Sequence, residues 1–316
     1  MKPHVSLPLL TQSELRSFRR CPREWSYSYG QQLRAARVDP NLTFGSVVHR
    51  ALEAWWASGG DLSSALAHLA DLHDPFTRAQ ADAMLTAYSV YWRSALDDLE
   101  VIGLEVPFEA PLTNPLTGEH SRTWRLAGQL DGLVRERATG RVWILEHKTT
   151  SEDITPGAPY WQRLRLDAQV AIYHHGARAL GHDPAGVLYD VLRKPALRPY
   201  EPGQRRKVAE NPDEYRSRLL GALEADIAKH LQRQEVVLLA SDEQEAALDT
   251  WQSAQSLRDT QRLGRFARNG DACMRWGRAC DFLPLCLGTA QPDDARYRKA
   301  TAKHEELRPM KTPEAA

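Results

Sequence analysis

The sequence predicts an α/β or α+β protein, in which a small mixed sheet is flanked by helices. Two observations lead to this fold class. Apolar residues recur at helical spacing over about 43–58 and 77–100, whereas from residue 103 the chain changes to strand-like segments. Helical stretches then return and continue toward the C-terminus. No internal repeat interrupts this order, and 316 residues are enough for one large domain.

The predicted elements follow from local signals along the chain. The first helix begins at Thr11, which with Glu14 has the form of a capping box, and it ends near Cys21-Pro22. We expect residues 1–290 to form one domain and the polar stretch 291–316 to be disordered. The remaining elements are helices at about 43–58 and 77–100, strands at 103–112 and 122–148 with a turn at Thr139-Gly140, a helix at about 160–180, a strand at 187–191, and helices at about 212–234 and 242–266.

Composition restricts the classes of function. The 41 basic and 41 acidic side chains cancel, so binding to nucleic acid would need a local basic groove. No apolar run approaches the roughly 20 residues of a membrane helix, and no secretory signal is evident. With only four cysteines, we expect a reducing, cytoplasmic environment in which thiols bind metals. No P-loop motif occurs, so no helicase motor is expected.

A group of acidic and basic residues lies in the strand region. The segment that ends at Lys148 alternates like a strand, which places Glu146 and Lys148 on one face and His147 on the other. A tight turn brings the preceding strand, which ends at Asp131, alongside it. Asp131 and Glu146 can then share a Mg²⁺ or Mn²⁺ ion beside Lys148, as phosphodiester cleavage requires. By itself this pattern is short, and a surface hairpin with a cross-strand salt bridge is its commoner explanation.

Two further features add to this interpretation. Gln169 and Tyr173 are four residues apart on one face of a helix, where both can reach a phosphate or a base. His49 lies at the edge of the apolar stripe of the second helix and can complete a metal site. Each feature alone is more often structural or coincidental. Together they favour a metal site that acts on nucleic acid.

The motifs occur in an order that is more specific than any one of them. The chain resembles PD-(D/E)XK nucleases of the RecB-like group over about residues 11–290, and the resemblance implies a restriction-endonuclease-like core. The matching segments are Phe44-Gly45-Ser46-Val47-Val48-His49, Gly128-Gln129-Leu130-Asp131, Leu145-Glu146-His147-Lys148 and Gln169-x-x-x-Tyr173.

The resemblance also implies roles for individual residues. It implies that Asp131, Glu146 and Lys148 are catalytic and that Gln169 and Tyr173 contact DNA. Glu105 matches a further acidic position of some members. The metal ligands that it implies are His49, Asp131, Glu146 and the main-chain carbonyl of His147.

The four cysteines are unevenly distributed. Cys273, Cys280 and Cys286 fall within fourteen residues, and Cys21 lies about 250 residues earlier. Four thiolates suit zinc or an iron–sulfur cluster, with free buried cysteines as a third possibility. No CxxC pair is present, and the irregular spacing favours a 4Fe-4S cluster. The chain is similar to RecB-like nucleases with an iron–sulfur staple, which would join the N- and C-terminal helical segments, although the gap from Cys273 to Cys280 is unusually wide.

Basic residues are concentrated in two segments that are candidates for phosphate contacts. Trp25, Tyr27 and Tyr29 follow the first segment, and they either stack on single-stranded bases or belong to the core. The basic residues are Arg16, Arg19, Arg20 and Arg23 in the first segment and Arg193, Lys194, Arg198, Arg205, Arg206 and Lys207 in the second.

These features predict a Mg²⁺- or Mn²⁺-dependent DNA exonuclease that acts on single-stranded DNA or DNA ends in recombination, repair or replication. It would work alone or with a separate helicase or recombinase. One alternative is a CRISPR-adaptation nuclease of the same superfamily, which the long helical segments disfavour. Another is a non-catalytic DNA-binding or scaffold protein with an architectural zinc ion or cluster, which the Asp131, Glu146 and Lys148 set disfavours.

Overall fold

The computed structural model describes residues 7–37, 39–203, 208–275 and 277–307. In these residues the strands are β1 Leu9–Thr11, β2 Leu33–Ala35, β3 Leu99–Thr113, β4 His120–Glu136, β5 Val142–Thr150, β6 Pro184–Arg193, β7 Leu231–Val236, β8 Met274–Arg275, β9 Arg278–Ala279 and β10 Tyr297–Lys299.

The α-helices of the same residues are α1 Gln12–Arg20, α2 Pro22–Trp25, α3 Pro40–Ala57, α4 Leu62–Ala67, α5 Pro75–Tyr91, α6 Ala95–Asp98, α7 Pro159–Leu164, α8 Ala168–Ala179, α9 Pro212–Ala225, α10 Ile227–His230, α11 Ala240–Leu263 and α12 Leu283–Leu287. A π-helix spans Ser26–Gly30, and short 3₁₀ turns span His68–Asp71, Gly270–Ala272 and Glu305–Leu307. No helix in the described ranges combines the length and apolar character needed to cross a bilayer.

The central sheet is mixed, in the order β1-β4-β5-β6-β7, with β3 paired to the other edge of β4. β3 runs antiparallel along most of β4. The opposite edge of β4 is shared, because β1 pairs with Arg125–Ala127 and β5 pairs with Gly132–Arg135. Residues 128–131 therefore lie in a gap between β1 and β5. This gap holds the Gly128-to-Asp131 motif.

Helices cover both faces of the sheet. Successive residues of a strand point to opposite faces, so they enter different apolar cores. In β5, Trp143 and Leu145 belong to a core with α3, α5 and α9. Ile144 belongs to the opposite core, with α1, α8 and α11. Each fully buried side chain of this size contributes roughly 1.5–3 kcal/mol. The predicted mixed α/β fold with a central sheet flanked by helices is confirmed.

Close packing of α8 on the sheet depends on two glycines. A Cβ atom at Gly128 or at Gly176 would approach the Phe108 ring to 2.6 Å or less. The ring of Phe108 thus occupies the space that side chains at both positions would need. The absence of these side chains lets α8, with Gln169 and Tyr173, lie directly against the motif in β4.

Several predicted boundaries differ from the structure. The helix expected at 160–180 is split, because Asp167 caps a new helix by accepting a hydrogen bond from the Gln169 amide. The helix expected at 212–234 ends early, and Leu231–Val236 forms edge strand β7. Between its two ends β7 has only polar side chains, so its sequence shows no alternation of apolar and polar residues that would predict a strand. The expected helix at 77–100 stops at Tyr91.

The C-terminal stretch also differs from its prediction. Disorder was expected from residue 291, but Tyr297–Lys299 pairs with β2 and the chain remains packed as far as residue 307. Long-range contacts that are invisible in the local composition cause this order. Residues 308–316 lie outside the described residues.

Candidate functional site

Asp131 lies in the gap between β1 and β5. The last pair of the antiparallel β4–β5 ladder is Gly132 with Leu145. Asp131 and Glu146 are the next residues beyond this pair on the two strands. There the amide of His147 donates a hydrogen bond to Asp131 Oδ2 at 2.8 Å. The carboxylate thus takes the place of a main-chain acceptor. This hydrogen bond holds Asp131 beside His147 of β5.

His49 reaches the same place from α3. Its Nε2 lies 2.6 Å from the carbonyl oxygen of His147, and since a carbonyl only accepts, Nε2 is the donor. Nδ1 lies 3.5 Å from Asp131 Oδ2 and is the nitrogen left for a cation. His49, Glu105 and Asp131 are the one group among the described residues whose ligand atoms, from three or more side chains, lie within 4.8 Å of one another.

Glu105 is held in a constrained geometry beside Asp131. Its φ of +48° is in the left-handed region, which non-glycine residues rarely adopt. The side-chain amide of Gln129 donates to Glu105 Oε2 at 2.7 Å, and Gln129 shares one face of β4 with Asp131. Burial, with the nearby charges of Asp131, Glu53 and Glu146, raises the pKa of Glu105 to about 8.

Glu146 and Lys148 are on one face of β5, as predicted, and form a close ion pair. Gln169 from α8 donates to Glu146 Oε1 at 2.8 Å, while Oε2 is buried with no hydrogen-bond partner among the residues that the structure describes. Burial, then repulsion from Asp131, raises the pKa of Glu146. Burial lowers the pKa of Lys148, but the Glu146 and Asp131 carboxylates outweigh it, so its pKa is raised.

These residues suit a hard divalent cation. Two carboxylates and an imidazole nitrogen converge, a buried carboxylate oxygen lacks a partner among the described residues, and burial together with like charges raises the pKa values of Glu105 and Glu146. A divalent ion favours oxygen ligands and relieves this repulsion. Glu146 is outside the three-residue group, and its Oε1 is engaged by Lys148 and Gln169.

Two cavities meet at this site. The larger, of about 660 Å³, is lined by Lys148 and by arginines that include Arg16 and Arg19. The smaller, of about 170 Å³, is lined by Asp131, Glu105, Gln169 and Tyr173 among others. Gln12 and Arg16, from the first turns of α1, belong to both cavities. The site is therefore open to a chain-like ligand that passes beside α1.

All four cysteines line one small cavity of about 30 Å³. None forms a disulfide. The wide gap between Cys273 and Cys280 is a hairpin of β8 and β9, with Gly277 at φ +72° in its turn. At the base of the hairpin the Cys280 amide donates to the Cys273 carbonyl at 2.8 Å, so the two residues are cross-strand neighbours. The hairpin removes the distance that the sequence puts between them.

A comparison with known families agrees with this geometry. The family model described as the PD-(D/E)XK nuclease superfamily matches residues 9–286. The chain belongs to this superfamily. PD-(D/E)XK nucleases use divalent metals, which fits the donor set around Asp131. The central mixed sheet with helices on both faces is consistent with the restriction-endonuclease-like fold of these nucleases.

Two other comparisons were made for this PD-(D/E)XK chain. A search of curated proteins gave no match. Among solved structures, the chain is similar to one described as "Crystal structure of SSO0001", with 15% sequence identity and a TM-score of 0.32. The alignment covers 82% of this chain and 78% of that chain.

The predicted DNA-contacting residues fall into different environments. Gln169 and Tyr173 line the smaller cavity of the PD-(D/E)XK site. Trp25 is a core residue that stacks on Phe266, and Tyr27 packs on Phe282. The first basic segment is only partly at the site, since Arg16 and Arg19 line the larger cavity. In the second basic segment, residues 205–207 lie outside the described residues.

Several residues at this candidate site were not predicted from the sequence. Gln129 donates a hydrogen bond to Glu105. Because Gln129 is two residues before Asp131, a strand places both side chains on one face, and this spacing could have predicted that Gln129 lies at the site. Glu53, one turn after His49, has a pKa raised by burial and by Asp131. Glu306 at the far end of the chain lines the smaller cavity, and no local pattern indicates this.

Proposed function

We propose that the protein is a Mg²⁺- or Mn²⁺-dependent DNA exonuclease that acts on single-stranded DNA or DNA ends. The convergence of His49, Glu105 and Asp131 beside the Glu146–Lys148 pair carries this proposal. Hard oxygen donors next to a lysine, at the junction of two cavities, suit a phosphodiester in a bound strand. A protein that only binds DNA would gain nothing from the neighbouring carboxylates of Glu105, Asp131 and Glu146.

We assign the metal ligands to the residues that surround this junction: His49, Asp131, Glu146 and the main-chain carbonyl of His147, with Glu105 as a further carboxylate. These residues would hold a divalent ion, which would supply polarisation of a phosphoryl oxygen and a lowered pKa of the water bound to it. Asp131 and Glu146 hold negative charge at the ion, and Lys148 orients the attacking water or stabilises charge on the phosphorane.

DNA recognition is assigned to the two cavities. Gln169 and Tyr173 lie in the smaller cavity, where an amide and a phenol can contact a phosphate or a base. Arg16 and Arg19 in the larger cavity can bind phosphates of the same strand. The ordered motifs favour the RecB-like group, and with it a role in recombination, repair or replication beside a separate helicase or recombinase. A cytoplasmic location stays a prediction.

The test is metal-dependent degradation of end-labelled DNA. Wild type should degrade linear DNA with Mg²⁺ or Mn²⁺ and be inactive with a chelator. Lys148→Ala should lower the rate by about 10²–10³-fold, the usual size of a lost electrostatic contact to the transition state. Lys229→Ala, at an exposed lysine in α10, is the matched control and should keep full activity. Intact single- and double-stranded DNA with wild type and either metal would reject the proposal.

We also propose that Cys21, Cys273, Cys280 and Cys286 hold a 4Fe-4S cluster. All four line one cavity. The sequence has no CxxC pair of the kind that zinc sites usually use, and this favours a cluster. The role of the cluster would be structural because hydrolysis needs no redox step.

The cluster is tested on protein purified without oxygen. Four irons per chain and an absorbance band near ~400 nm are expected, and both should be lost in Cys280→Ser. Colourless protein that carries one zinc ion would overturn the cluster proposal and leave the nuclease proposal intact.

A further inference from the structure

Residues 297–307 form a strap that runs from the cysteine region to the nuclease site; we call them the 297–307 strap. Tyr297–Lys299 pairs with β2, which attaches the start of the strap. Farther on, Lys303 Nζ lies 2.7 Å from Glu14 Oε1, and His304 Nε2 lies 2.6 Å from Glu14 Oε2. The strap is thus tied to α1 through a single glutamate.

Glu14 is a strong anchor because it is fully buried. Its relative exposure is 0%, and besides the two strap residues it accepts a hydrogen bond from Trp25 Nε1 at 3.0 Å. A buried carboxylate is stable only when it is paired and hydrogen-bonded, and losing a partner costs several kcal/mol in such pairs generally. The predicted capping box used this side chain locally. In the structure it holds the strap instead.

The anchored strap ends at the nuclease site. Thr11, the N-cap of α1, donates its hydroxyl to Glu306 Oε1 at 2.8 Å. Glu306 and Leu307 line the smaller cavity, together with Glu105 and Asp131. The strap therefore forms one wall of this cavity, beside the walls that the sheet, α8 and the first turns of α1 supply.

The two cavities differ in charge. The smaller has one arginine, Arg16, against three carboxylates, those of Glu105, Asp131 and Glu306. The larger has equal numbers of cationic and acidic side chains. Three of its arginines are held in ion pairs, such as Arg16 with Asp167, whose carboxylate a phosphate can replace. A DNA backbone is accepted in the larger cavity, whereas beyond the metal ligands the Glu306 carboxylate repels a further phosphate.

The two cavities also differ in size. About 170 Å³ is less than the roughly 300 Å³ of the smallest pockets for drug-sized ligands, so the smaller cavity cannot hold more than the end of a strand. A strand can place its terminal nucleotide there. A strand that continues would have to pass Leu307 and Glu306.

We propose that Glu306 and Leu307 determine specificity for DNA ends, by closing the smaller cavity into a pocket for the terminal nucleotide. The inference rests on the proposed nuclease function and narrows its substrate to free ends of single-stranded DNA. It requires products one or two nucleotides long. It also requires that a circular single strand, which has no end to insert, resists cleavage.

The experiment compares linear and circular single-stranded DNA of one sequence with Mn²⁺, using the full chain. Wild type should degrade the linear form to mono- and dinucleotides and leave the circle intact. Glu306→Ala with Leu307→Gly should cleave the circle about tenfold faster than wild type or more, and should release longer products. Glu306→Gln, which removes the charge alone, should give a smaller increase.

Glu305→Gln is the matched control. The Glu305 carboxylate faces Arg34, Arg298 and Thr301 rather than the cavity, so this variant should behave as wild type. Wild type that cuts the circle, or an opened variant that folds and still spares it, would overturn the strap proposal while the nuclease function stands. If the double variant does not fold, two other results together would overturn the strap proposal. One is that Glu306→Gln cleaves the circle no faster than wild type, and the other is that the wild-type products are longer than two nucleotides. Failure to degrade linear DNA would instead reject the nuclease function.

Discussion

The nuclease site and the cysteine region are stabilised in different ways. The nuclease site lies on the central sheet, between two large apolar cores that share strands β4, β5 and β6. The cysteine region has its own small core of five buried side chains, with few partly buried neighbours; these five are Leu33, Phe282, Leu285, Ala290 and Tyr297. Only the first region is supported by the sheet.

This difference shows which region can tolerate electrostatic repulsion between neighbouring carboxylates. Burial and the neighbouring charge of Asp131 raise the pKa values of Glu105 and Glu146, a cost that a rigid sheet can bear. The cysteine region buries less apolar surface, and the pairing of β2 with β10 adds to it. The four thiols that line one cavity there would add a cross-link through the proposed cluster.

The largest effect should come from the cysteine region. Cys286→Ser should remove a cluster ligand and lower the free energy of unfolding by about 5 kcal/mol, the loop-closure value for a link between residues about 250 apart. Urea unfolding of anaerobically purified protein measures this change. An unchanged midpoint would mean that apolar contacts alone hold the region.

A smaller effect is expected behind the nuclease strand, where a buried network contacts His147. Asp190 is fully buried and accepts hydrogen bonds from Tyr88 and from Arg233, at 2.7 Å for the latter. Asp190→Asn leaves the Arg233 charge without its partner, so the free energy of unfolding should fall by about 3–5 kcal/mol.

Glu100→Gln is the control for this network. It breaks an ion pair with Arg135 in which both side chains are 44% exposed, and it should cost less than about 1 kcal/mol. Equal losses in Asp190→Asn and Glu100→Gln, measured by urea unfolding, would show that the buried network does not support the strand.

The last prediction concerns the pH dependence of stability. Because the pKa of Glu105 is raised from 4.5 to about 8, the metal-free folded protein binds its proton more tightly than the unfolded chain does. Folded molecules thus hold more protons between these values, and stability falls as pH rises through this window. Glu105→Gln should reduce that fall, measured as thermal unfolding from pH 5 to pH 8 with a chelator. An identical pH slope in both proteins would contradict the assignment.

Much of the site could be predicted because it depends on short-range periodicity. Glu146 and Lys148 are two residues apart, so any strand puts them on one face. Gln169 and Tyr173 share a helix face for a similar reason. Edge strand β7 could not be predicted, since its polar side chains carry no alternation and its pairing with β6 is what makes it a strand.

The sequence by itself determined the mixed α/β class, the motif order and the identity of the acidic and cysteine residues. Only the tertiary structure decided that Glu105 joins His49 and Asp131, that a hairpin brings Cys273 beside Cys280, and that Glu14 anchors the 297–307 strap. The physical reason is the range of the interactions. Periodicity and capping act over a few residues, whereas these contacts join segments that are brought together by burial of the apolar cores.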